Sequence, residues 1–171
     1  TPAMKVNGTP TRTIWLADNG RTVEIIDQTR LPHHYEIARL ETLDDACRAI
    51  KDMLVRGAPL IGATAAHGLA LAMRADPSDA GLATAYDRLF ATRPTAVNLR
   101  WALDDLRARL TPLAPGERAT AAVARAVAIC DEDVALNESI GENGHAVFRA
   151  LWQQKSKPER FNVLTHCNAG W

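Results

Sequence analysis

The spacing of apolar positions changes along this chain, and the change divides it. Within residues 12–40 the apolar positions come in short runs, Ile14-Trp15-Leu16 and then Val23, Ile25 and Ile26. Asn19-Gly20 between them is a strong signal for a two-residue hairpin turn. Leu31-Pro32 breaks the pattern, and residues 35–40 read as a third short strand. The pattern therefore predicts a small antiparallel sheet or hairpin.

From residue 43 the period becomes helical. Leu43, Ala46, Cys47, Ile50 and Leu54 recur at three- and four-residue spacing, which predicts a helix over 43–56. Thr42 and Asp45 form a box-like cap at its start, and Gly57 fits the left-handed position that ends it. Pro59 suits the first turn of a second helix, about 60–73, built on Gly62, Ala63, Ala65, Ala66, Gly68 and Ala70. Small residues all round imply burial on every side, with neighbouring backbones close. A third helix is expected over 79–91 after Ser78, with Leu82, Ala85, Tyr86 and Leu89 as its stripe. A fourth follows Pro94 and reads through Leu99, Leu103, Leu106 and Leu110. After a loop at 111–116, Ala119, Val123, Ala126, Cys130, Val134 and Asn137 mark a long helix. Gly141 and Gly144 are expected to interrupt it before 147–152.

The charged stretch 155–160 contains Pro158 and reads as a linker, and 161–166 reads as a β-strand ending in the turn Asn168-Ala169-Gly170. The expected class is α+β. A mainly helical domain with a small antiparallel sheet covers 1–154, and a second, α/β domain begins at 161–171.

Composition narrows the partners. With 171 residues, 47% of them hydrophobic, the chain is long enough to bury a core. A formal net charge of zero argues against nucleic-acid binding by phosphate neutralisation. No apolar stretch reaches the ~18 residues of a membrane span, and the polar start carries no signal-peptide pattern. Thr1 in place of Met is read as a processed or trimmed start. Cys47, Cys130 and Cys167 are far apart and form neither a CxxC pair nor a zinc spacing, so reduced thiols in the cytoplasm and no metal site are expected.

Two places repeat one physical idea. Arg56-Gly57-Ala58-Pro59 sets a guanidinium beside a glycine that opens a helix, and Arg93-Pro94-Thr95 sets another just before a helix start. Helix N-termini present unpaired N–H groups and partial positive charge, a setting that holds phosphate, and arginine adds bidentate donors. Ordinary surface arginines beside helix caps satisfy the same spacing. Cys167, at the carboxyl end of a strand, is a nucleophile, an acid or an inert core thiol; strand ends are where open α/β sheets place their chemistry. His166 is its neighbour in sequence, but adjacent strand residues point to opposite faces. Cys47, Cys130 and His67 read as core, His33 and His34 as solvated loop residues, and Trp15 and Trp101 as packing residues.

Five blocks then match one family in order and spacing. They are Ile14-Trp15; Ile26-Asp27-Gln28 with Leu31-Pro32; residues 56–62; residues 93–99 with Trp101; and residues 164–170. The chain resembles the N-terminal half of the methylthioribose-1-phosphate isomerase family, from about Arg12 to Gly170. The resemblance implies an aldose–ketose isomerase of methionine salvage, converting 5-methylthioribose 1-phosphate to its ketose without metal or organic cofactor. It implies a helical domain followed by a Rossmann-like domain, an active site between them, and a homodimer. It assigns Arg56, Gly57, Ala58 and Arg93 to substrate binding and Cys167 to catalysis. The family's catalytic aspartate falls in a second half that is not in this sequence, so the chain alone is expected to be inactive. Isomerases of related sugars, such as ribose 1,5-bisphosphate or a 5-deoxypentose 1-phosphate, and non-catalytic exchange-factor subunits of the same fold are the alternatives.

Overall fold

Asn-Gly dipeptides start the β-structure. The computed structural model describes residues 5–155 and 159–166. Strands β1 (Lys5–Val6) and β2 (Thr9–Pro10) form a short antiparallel pair, turned by Asn7 and Gly8 at φ 50° and 84°. That pair carries the same dipeptide signal as Asn19-Gly20, ahead of the region expected to be β. Strands β3 (Ile14–Leu16), β4 (Val23–Ile26) and β5 (Ile37–Leu40) form an antiparallel sheet in the order β3-β4-β5. The β3–β4 connection is wider than the two-residue turn expected. Ala17 N donates to Thr22 O at 2.9 Å, and only Gly20 has positive φ between them. The Asn19 carboxamide oxygen accepts from Arg21 N and Thr22 N at 2.8 and 2.9 Å, so its side chain shapes the turn together with the left-handed Gly20.

Five helices follow: α1 (Leu43–Lys51), α2 (Ala58–Ala75), α3 (Asp79–Thr92), α4 (Val97–Leu110) and α5 (Pro115–Gln154). The expected cap of α1 is present, with Thr42 Oγ1 accepting from Asp45 N at 3.2 Å and Asp45 accepting from Thr42 N at 3.1 Å. The helix stops earlier than its apolar period implied. Asp52 ends it and Met53 turns left-handed at φ 59°, so Gly57 does not cap α1. Leu54 and Val55 leave the helix to meet the sheet: Gln28 N donates to Leu54 O at 2.9 Å, and Val55 is fully buried. Tertiary pairing overrides local periodicity there.

Helix α2 is the centre, with α1, α3, α4 and α5 packed around it. Residues 61–73 are all buried, as its small side chains predicted. A Cβ on Gly62 would lie 2.8 Å from Asn98 O, and one on Gly68 would lie 2.7 Å from Ala46 Cβ. Glycine therefore lets two neighbours approach to backbone contact. Buried Arg118 closes the opposite end, donating to the carbonyls of Pro77, Leu110 and Leu113 at 3.0, 3.1 and 3.2 Å and to the Asp79 carboxylate at 2.6 Å.

Helix α5 runs unbroken for 40 residues through Gly141 and Gly144, against the interruption expected there. It lies antiparallel to α2: His67 meets Cys130, and Arg74 shares a shallow surface with Thr120 and Val123. At about 1.5 Å rise per residue, α5 passes the start of α2 by roughly 20 Å. Val147, Phe148 and Leu151 on that overhang are exposed. The described residues 159–166 belong to no ladder, and Leu164 is 99% exposed. A strand needs a hydrogen-bonding partner, and none of the described residues supplies one, so the expected strand 161–166 is not formed here. The linker expected at 155–160 falls partly on residues outside those described.

Candidate functional site

Two loops deliver the arginine turns. The first leaves α1, is bonded through Leu54 O to Gln28 N just beyond β4, and reaches Gly57 at φ 93°, ψ 135°. A side chain bearing Cβ is strained at that φ. Ile61 N donates to Gly57 O at 3.0 Å, which begins the α2 ladder. The Arg56 guanidinium donates to Gln28 O, so the residue that fixes Leu54 also orients Arg56. The second loop, residues 93–96, closes when Ala96 N donates to Arg93 O at 3.0 Å.

Tertiary packing brings these turns side by side. Gly62 sits in the second turn of α2 and Asn98 in the first turn of α4, and the two are in backbone contact. Arg56-Gly57-Ala58 and Arg93 therefore flank neighbouring helix starts.

The electrostatics separate these two starts from the other three. Helices α1, α3 and α5 carry acidic residues in the first turn: Asp44 and Asp45, Asp79, and Glu117. Thr42 and Ser78 also cap α1 and α3 with a side-chain oxygen. Neither α2 nor α4 has an acidic first-turn residue or a side-chain cap. Their first N–H groups and dipoles are left without internal anions. Among the described residues no carboxylate forms a salt bridge with Arg56 or Arg93, whereas Arg88, Arg109 and Arg118 each have one and Arg125 has two. Arg56 is exposed and Arg93 half-buried. Two helix starts and two guanidinium groups without a carboxylate partner, one of them held by Gln28 O, can accept a dianion such as a phosphate ester.

Other titratable groups are engaged elsewhere. His67 is 2% exposed, and burial first, then the nearby Arg74 charge, lowers its pKa to about 4. Its Nε2 lies 3.7 Å from Cys130 Sγ, whose pKa burial pushes up to about 11. At neutral pH the pair is imidazole and thiol, both uncharged, which is a packing role and not a nucleophile. A surface concavity of about 660 Å³ lies along Arg100, Asp104 and Arg107, away from the arginine turns. Asp104 there is already bonded to Tyr86 Oη and Arg107, each at 2.8 Å. The described residues contain no group of three or more metal-ligating side chains, and none of their helices is long and apolar enough to cross a membrane.

Trp101 departs from its expected packing role: it is 50% exposed. Trp15 is half-buried and donates Nε1–H to Glu24 at 2.8 Å. Cys167 and the turn 168–170 lie outside the described residues. The missing acidic first turns of α2 and α4 were visible in the sequence and could have separated these starts from the rest.

The comparisons agree with one another. A model described as the initiation factor 2 subunit family matches residues 54–171. The methylthioribose-1-phosphate isomerase of Paramagnetospirillum magneticum is 64% identical over 168 residues, covering 98% of this chain and 46% of that protein. The crystal structure of 5-methylthioribose 1-phosphate isomerase from Pyrococcus horikoshii matches with a TM-score of 0.66 at 36% identity, over 72% of this chain and 36% of that one. The delta subunit of a translation initiation factor from A. fulgidus matches with a TM-score of 0.65 at 36% identity, over 72% of this chain and 37% of that one. The chain spans about half the length of the isomerases it matches.

Proposed function

The chain belongs to the initiation factor 2 subunit family, and from that premise we propose that it forms the N-terminal half of an aldose–ketose isomerase acting on 5-methylthioribose 1-phosphate in methionine salvage. One observation carries the reading: the two adjacent helix starts without acidic first turns are the two that carry Arg56 and Arg93. A sugar phosphate supplies the dianion that such a pair lacks. Arg56, Arg93 and the Gly57-Ala58 backbone hold that phosphate. A Rossmann-like second half, entered through 155–171, completes the cleft, and the working enzyme is a cytoplasmic homodimer; the free thiols of Cys47 and Cys130 suit that compartment.

The chemistry then follows from the substrate. Its phosphate sits on the anomeric carbon, so the ring cannot open as a simple hemiacetal. The ring C–O bond must be cleaved with a proton delivered to the ring oxygen, the task of a general acid from the second half. Hydrogen then moves from C2 to C1. If it moves as a proton, Cys167 carries it or stabilises the charge left behind, a kind of step usually worth about 10² to 10⁴ in rate. If it moves as hydride, Cys167 only lines a dry wall.

A second reading, a non-catalytic subunit, has one observation in its favour: the delta-subunit structure fits as well as the isomerase structure. Sequence separates them better than fold, since isomerase relatives reach 64% identity. The test is isomerase turnover by the protein carrying both halves. Arg56→Ala and Arg93→Ala should each lower kcat/KM by about 10- to 100-fold, the worth of a hydrogen bond to a charged group. Cys167→Ser with unchanged kcat removes the proton-shuttle role. A protein with neither turnover nor arginine-dependent sugar-phosphate binding is the regulatory subunit.

A further inference from the structure

We infer that Val97 and Trp101 form the apolar subsite that recognises the substituent on C5 of the sugar, an inference that rests on the isomerase reading. The α4 stripe that builds the core is complete without them: Leu99, Ala102, Leu103 and Leu106 are fully buried. Val97 is 78% exposed and Trp101 50% exposed. They are four residues apart, so they share the outer face of α4. Helical side chains lean toward the N-terminus of their helix, which tilts both toward the Arg93 turn.

Their separation along the axis is roughly 6 Å, four residues at 1.5 Å each. That is on the order of the span of a pentose ring. A substrate with its phosphate at the paired helix starts extends its far end along this face. The far end of the proposed substrate is a methyl thioether, apolar and polarisable. Indole is a large apolar surface, and thioether sulfur packs well against aromatic rings. A hydroxyl or phosphate at C5 would instead be desolvated there without a hydrogen-bond partner. The subsite thus selects against ribose 1,5-bisphosphate, whose C5 carries a phosphate, and accepts the apolar C5 of a 5-deoxypentose.

The experiment uses the protein carrying both halves. It measures kcat/KM for 5-methylthioribose 1-phosphate, and the inhibition constant of ribose 1-phosphate as competitor. Trp101→Ala and Val97→Ala are expected to lower kcat/KM for the thioether sugar by about tenfold or more, the range for lost apolar pocket contacts. The inhibition constant of ribose 1-phosphate should stay within about twofold, because its phosphate contacts are untouched. Trp101→Phe should restore most of the loss. Equal weakening of both sugars, or of neither, overturns the inference. So does equal weakening with a lowered melting temperature, which assigns this face to contact with the second half. If the parent protein isomerises no sugar phosphate, the isomerase reading itself fails and this inference with it.

Discussion

At the residue scale, the pair His67 and Cys130 shows how burial sets chemistry. Unfolded, the histidine titrates near 6.5; folded, its pKa falls to about 4. Between those values the unfolded chain binds a proton that the native one refuses, so stability is complete above pH 6.5 and falls as pH drops toward 4. The full loss is on the order of 3 kcal/mol, at 1.36 kcal/mol per unit. Cys130 works in the other direction: burial pushes its folded pKa up to about 11, above the ordinary thiol value of 9.0, so its contribution fades as pH rises from 9 to 11. Urea unfolding between pH 7 and 4.5 should show a steeper acid decline for the parent chain than for His67→Asn. Parallel declines would mean that the histidine protonates freely in the fold. Both residues were legible in the sequence as core; that they meet was not, because 63 residues separate them.

At the element scale, the spacing of α2 and α4 is set by one missing side chain. Asn98 O would lie 2.8 Å from a Cβ on Gly62, and the obstacle is backbone that cannot rotate away. Gly62→Ala should push the two helix starts apart and cost about 1–3 kcal/mol, the usual penalty of overpacking. Sugar-phosphate affinity in the protein with both halves should fall with it, since the arginine turns ride on those starts. Thermal unfolding and titration calorimetry read the two effects. An unchanged melting temperature and affinity would mean that the helices do not need this contact. The sequence marked α2 as tightly packed through its glycines and alanines, but could not say which helix approaches Gly62.

At the scale of the whole molecule, the five-helix core and the small sheet are complete, and α5 leaves them behind. Its last turns expose Val147, Phe148 and Leu151, with the ring of Phe161 packed against Phe148 at 6.0 Å between centroids. Amides in the overhang should exchange within the fast local-opening range, while those at 118–130, packed on α2, should exchange slowly. In the protein carrying both halves the overhang amides should become protected. Hydrogen exchange followed by mass spectrometry checks both states. Equal exchange along α5 in the isolated chain, or no protection on adding the second half, would mean that the overhang is not a contact surface for that half.

The sequence by itself determined the helices, the small sheet and the arginine turns. Each depends on neighbours a few residues apart: an apolar period, a Thr-Asp cap, a glycine before a helix. It also determined that α2 would be buried, because Gly62, Ala66 and Gly68 leave nothing for solvent. Tertiary structure decided the rest. It ended α1 at Lys51 so that Leu54 could meet Gln28, and it carried α5 through two glycines. It also placed Arg56 and Arg93 on neighbouring helix starts. Those outcomes depend on contacts between residues distant in the chain, and a local pattern carries no record of which distant backbone will fill the space it leaves.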